Sequence, residues 1–113
     1  MENMKIVNRG FLIIRPRTPF LAWANQQDSE VAFSEEDDVE GTTFLIEEDF
    51  FDIEPIIEKH FKKIFKHELS MVTELEENWP PSLKIDVFLE WFSVDFGAIV
   101  IDLEKSDLKV EKI

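Results

Sequence analysis

Between Asp28 and Glu58 the chain carries thirteen acidic residues and not one Lys or Arg. Uncompensated carboxylates stay in water, so the acids of this stretch belong to a surface, and the core must be assembled around them. The formal net charge is −13, and this one block equals the whole excess. Such a concentrated negative field draws basic partners in and keeps phosphates and anionic lipids out. The densest part, Glu35, Glu36, Asp37, Asp38 and Glu40, is followed by Gly41. It reads as an acidic surface loop at about 28–41, whose like charges repel within a short span.

High negative charge alone would suggest disorder, but disordered chains are poor in aromatics. This chain has 11 Phe and 3 Trp within 113 residues, and 44% of its residues are hydrophobic. That is enough for one folded domain spanning 1–113, the usual size for a single core. Cysteine is absent, which removes disulfides, thiol nucleophiles and thiolate metal sites and fits a cytoplasmic setting. Near the N-terminus the apolar run Phe11–Ile14 is cut by Arg15 and Arg17, too short for an export signal. No stretch reaches the ~18–20 apolar residues of a membrane span. No membrane association and no nucleic-acid binding are expected, because affinity for phosphates rests on cationic contacts.

Residues 10–15 read as a strand that Pro16 helps to end. Thr18-Pro19 reads as a cap and a first-turn proline, opening a short helix over 19–26. A second strand covers 42–46. Asp52 is placed to cap a long helix from Ile53, whose apolar residues at 53, 57, 61, 64, 71, 72 and 75 share one stripe. Glu54 and Glu58 lie early in it and four lysines later, in the order the helix dipole favours. Asn78-Trp79-Pro80-Pro81 ends it. Glu68 falls inside the apolar stripe, so either the helix kinks there or a carboxylate is drawn inward. Residues 83–92 match a strand at their odd positions, and equally a helix that is apolar nearly all round. The Pro-Pro-Ser entry favours a helix capped by Ser82. Phe96–Leu103 alternates as a strand, and Leu108, Val110 and Ile113 read as a weak further edge.

The order Ile64-Phe65, Glu68-Leu69, Trp79-Pro80, Phe88, Trp91-Phe92 and Val100-Ile101-Asp102-Leu103 resembles a group of small bacterial proteins of unassigned function. The resemblance spans roughly residues 60–105 and rests on packing residues and a turn. It implies a bacterial origin and a helix over 83–92, and it implies no activity.

Catalytic signatures are missing. Three glycines at 10, 41 and 97 cannot form a phosphate-cradling loop. His67-Glu68-Leu69-Ser70-Met71 is half of a zinc-protease motif with Met71 where the second imidazole belongs. Glu36, Asp38, Glu40, Gly41 and Glu47 echo a calcium loop, but position 1 is Glu, and Thr42–Ile46 reads as a strand rather than an outgoing helix. Neither supports a metal or cofactor. Glu68 and Asp102 are the acids set among apolar neighbours, and a pocket around them would raise their pKa values. Arg9, Arg15 and Arg17 read as answering the acidic block.

The expected fold is α+β, a small sheet of three or four strands covered on one face by two or three helices. The expected function is a non-catalytic protein–protein interaction or regulatory module, with residues Glu35–Asp38 and Glu40 recognising a basic protein. A helix over 83–92 that outgrows its cover would leave Phe88, Trp91 or Phe92 to a symmetric dimer. Two alternatives stand beside this. One is a small enzyme or ligand-binding domain with a sheet–helix pocket at Glu68 and Asp102. The other is a nucleic-acid mimic occupying a DNA-binding protein.

Overall fold

The computed structural model describes residues 4–27 and 40–113. The elements run β1 (Lys5–Val7), β2 (Gly10–Pro16), α1 (Thr18–Asn25), β3 (Thr42–Ile46), α2 (Ile53–Ser70), a 3-10 turn (Glu76–Asn78), α3 (Ile85–Trp91), β4 (Phe92–Gly97) and β5 (Val100–Asp102). β2 is the central strand of an antiparallel sheet ordered β3-β2-β4, and β1 pairs with β5 as a separate two-stranded ribbon. The fold is α+β, a small sheet packed against helices.

Alternation in β2 sets the layers. Leu12, Ile14 and Pro16 are buried, while Arg15 is exposed and Phe11 and Ile13 are half-buried, as expected for a sheet with one face on the core and one in water. Leu12 stands opposite both Phe44 of β3 and Phe96 of β4, and Pro16 stands opposite Phe92. The helices cover that face. On the other face Arg15 and Asp95 form an ion pair between β2 and β4.

Aromatic rings fill the core. Phe65 of α2 is fully buried and lies 5.7–5.8 Å, ring to ring, from Phe88, Trp91 and Phe92. Phe20 of α1 reaches Phe92 at 4.9 Å, and Trp23 reaches Trp91 at 5.8 Å. Two indoles also fix the chain beyond α2. Trp79 Nε1 donates to the Thr73 carbonyl and Trp23 Nε1 to that of Asn78, both at 2.9 Å.

Local chemistry departs from the sequence reading at several ends. α2 stops at Ser70, before the expected 75, where the Ser70 hydroxyl donates to the His67 carbonyl. Asp52 occupies the N-cap position of α2 without a side-chain cap bond. Arg17 and Lys84, not Thr18 and Ser82, precede α1 and α3. Residues 83–92 are helical only over Ile85–Trp91, and Phe92 turns straight into β4. The strand expected over 96–103 therefore begins earlier and breaks at Ala98-Ile99. β1 was not foreseen, and residues 103–113 contain no strand.

That break is uneven. Phe11 faces Gly97 and Val7 faces Val100, so Asn8, Arg9 and Gly10 stand against only Ala98 and Ile99. The β1–β2 side of the break is one residue longer, and the β1/β5 ribbon lies beyond it as a separate sheet. No helix among the described residues is long and apolar enough to cross a membrane.

Candidate interaction surface

The connection from β3 to α2, Glu47-Glu48-Asp49-Phe50-Phe51-Asp52, places two neighbouring phenylalanines in opposite environments. Asp49 has φ 58°, a left-handed conformation that Asp tolerates better than most residues. After it, Phe50 turns inward and packs edge-on against Phe96 at 6.3 Å. Phe51 turns outward and is 100% exposed. Glu48, Asp49, Asp52 and Glu54 around it are exposed too, and none of them forms an ion pair among the described residues.

Glu47 is the exception. Lys59 Nζ lies 3.0 Å from its Oε2, and His60 Nε2 lies 2.9 Å from its Oε1. The His60 hydrogen bond first, then its own backbone and Lys59, pull its carboxyl down to about 2. It is therefore ionised throughout the neutral range. Two basic groups of α2 are thus spent on one acid, and the field around Phe51 is left uncompensated.

The acids expected to recognise a partner divide. Glu35, Glu36, Asp37 and Asp38 lie outside the described residues, as does most of the calcium-like spacing. Glu40 is described and exposed. Phe88 and Phe92, expected at a dimer surface, are each only 1% exposed. They sit in the core because α1, α2 and β4 together surround α3. Trp91 is half-buried against Phe65 and Trp23, so of the three only Trp91 reaches the surface, and only in part. Arg15 answers Asp95 of its own sheet.

Glu68 and Asp102 belong to different places. Asp102, on β5, lies 3.8 Å from Lys5 and accepts the Glu104 backbone N–H at 2.9 Å. Glu68, on α2, is drawn inward with no kink, and Thr42 Oγ1 donates to its carboxylate at 3.3–3.4 Å. Beside it, β3 and α2 enclose a cavity of 460 Å³ lined by Thr42, Phe44, His60, Lys63, Ile64 and His67 among others. His67 packs edge-on against Phe44 at 5.9 Å, and His60 is committed to Glu47. The two acids therefore do not converge in one pocket.

Burial raises the Glu68 pKa, outweighing the nearby His67 and the Thr42 hydroxyl. A raised value means the fold favours the protonated acid, so its contribution is present below about 4.5 and is lost as pH rises through the higher folded value. Glu68→Gln keeps an acceptor for Thr42 and removes the half-buried charge. Its melting temperature is expected to exceed wild type by about 2–4 °C at pH 7, the effect being small because water still reaches the group. Near pH 4 the gap should close. Thermal unfolding at both pH values checks this, and an equal gap at both would exclude a charge effect.

Comparison with protein-family models, with curated proteins and with solved structures gives no match to this chain. The resemblance read over residues 60–105 gains no support from them.

Proposed function

We propose that the protein is a non-catalytic interaction module that binds a basic protein, with Phe51 as its anchor. The observation that carries this is a fully exposed aromatic ring set among four uncompensated carboxylates. Exposed Phe is costly in water, and aromatic anchors dominate binding energy at interfaces. The surrounding acids steer a cationic surface toward it and suppress like-charged competitors. The acids at 35–38 extend the same sign of charge along the sequence. In the nucleic-acid-mimic reading the partner is also basic, and the two separate by whether DNA displaces it.

A ligand-binding reading has the β3–α2 cavity in its favour, since 460 Å³ suits a small molecule. Two of its polar groups are already engaged, His60 with Glu47 and Thr42 with Glu68, while Thr43, Lys63 and His67 also line it.

The experiment is affinity capture from native extract with wild type and Phe51→Ala side by side. Wild type should retain a basic protein that salt releases at about 0.5 M. Phe51→Ala should lower its retention at least about tenfold. Because Phe51 touches so little, the variant's stability should change by less than about 0.5 kcal/mol. A partner held equally by both proteins would remove Phe51 from the interface. Capture of no salt-sensitive protein would overturn the reading.

A further inference from the structure

The β1/β5 ribbon has its faces covered in the wrong order for a free molecule. Ile6 stands directly opposite Ile101. Residues two apart along a strand share a face, so Met4, Ile99 and Leu103 extend the same side. All five are between 48% and 78% exposed. The opposite side holds the Lys5–Asp102 ion pair and the half-buried pair Val7–Val100. There the chain folds back over the charge: Lys5 Nζ donates to the carbonyls of Lys105 and Ser106 at 3.3 and 3.0 Å. Covering an ion pair of this kind gains little. Covering five apolar side chains gains far more, because the gain grows with the apolar area removed from water. The ribbon thus half-buries the mixed side that carries its ion pair and leaves its all-apolar side in water.

We infer that this face is covered by the same face of a second copy. Charge selects that occupant. Residues 4–9 and 99–107 hold Lys5, Arg9 and Lys105 against Asp102, Glu104 and Asp107, so the ribbon is the neutral end of a molecule of charge −13. A basic partner finds no counter-charge there. An anionic membrane is repelled by the rest of the chain. A second copy meets an end as neutral as its own. The geometry is also self-complementary: a two-fold axis beside the Ile6–Ile101 pair lays each ribbon's aliphatic row on the other's, as an isologous interface requires. The apolar face offers roughly 500 Å² per copy, near the lower limit for a specific interface. The dimer is therefore weak and reversible. The acidic bodies repel, so it tightens as salt rises, opposite to the salt response of the basic partner.

Light scattering coupled to size exclusion, at about 100 μM protein and at low and high salt, tests this. The expected result is a mass approaching twice 13.3 kDa, larger at high salt. Ile101→Glu should return the monomer with an unchanged melting temperature. Since the chain has no cysteine, Ile101→Cys gives a single thiol. A short bis-maleimide should join it to its mate at least about tenfold faster than Glu90→Cys on α3, because the dimer raises local concentration. A 13.3 kDa monomer at both salts overturns the inference. So does a dimer that survives Ile101→Glu. Phe51→Ala leaves the ribbon untouched, so this dimer and the basic-partner reading stand or fall separately.

Discussion

Phe65→Ala should cost about 3–5 kcal/mol of folding stability. The ring is fully buried and, among the described residues, is the one ring that meets Phe88, Trp91 and Phe92 together. It thereby joins α2 to α3 and to β4. Its removal forfeits the transfer energy of a phenyl group. It also leaves a cavity that three large, rigid rings cannot collapse to fill. Domains of this size hold only about 5–15 kcal/mol in total, so the variant should sit close to unfolding at 37 °C. Urea denaturation measures the loss directly. The matched control is Phe96→Ala, whose ring is 51% exposed and should cost about 1 kcal/mol or less. A Phe65→Ala loss below about 1.5 kcal/mol would mean the core repacks and is less specific than its geometry indicates.

The strands at 10–16 and 42–46 and the helices at 18–25 and 53–70 were legible because their signals are local. β2 alternates, Pro16 and Pro19 punctuate, and α2 carries a sustained apolar stripe. The segment from 83 to 103 was less legible because its structure is decided by packing. Ile85–Trp91 is apolar nearly all round, and it can be helical only because α1, α2 and β4 enclose it. Phe92 then leaves the helix because its partner across the ladder is Pro16, a contact 76 residues distant in sequence. β1 was hidden for a similar reason. Lys5-Ile6-Val7 is three residues long and is a strand only by pairing with Val100–Asp102. The break that divides β1 from β2 leaves no mark in composition.

The candidate surface was half visible. The acidic block is plain in the sequence, and the proposed basic partner is read from its charge. The exposure of Phe51 is not plain there. Phe50 and Phe51 are adjacent, and a chain entering a helix can bury only one of them. Which one depends on the turn at Asp49, whose positive φ has no distinct sequence signature beyond being Asp. Phe88, Trp91 and Phe92 failed as a surface for the converse reason: an all-apolar helix reads equally as core and as interface until its neighbours are known. The ribbon face carries the signal that would have found it. Ile99, Ile101 and Leu103 alternate with Val100 and Asp102, but burial alone shows that the aliphatic side is the open one.

Gly10→Ala should destabilise the fold by about 2–3 kcal/mol, and Gly97→Ala by no more than about 1 kcal/mol. Both glycines lie where another group comes too close for a methyl, yet the obstacles differ. At Gly10 the methyl would stand 2.9 Å from Phe50 Cε1, 3.0 Å from the Gly97 carbonyl oxygen and 3.2 Å from that of Glu47. Two of these are backbone, one in β4 and one just past the end of β3, and the third is a ring packed on Phe96. At Gly97 the nearest atoms are Cε1 and Cζ of Phe11, at 2.5 and 2.6 Å. That ring lies on the sheet face without helices and can swing into water. The consequence for binding follows from Gly10 alone. Displacing Phe50 shifts the turn that turns Phe51 outward, so Gly10→Ala should lose partner retention along with stability. Gly97→Ala should keep it. Denaturation midpoints and capture of the basic partner, measured on both variants, give the ranking. The reverse order would show that Phe11 is pinned and that Phe50 is free to move, which would detach Gly10 from the geometry of the acidic turn.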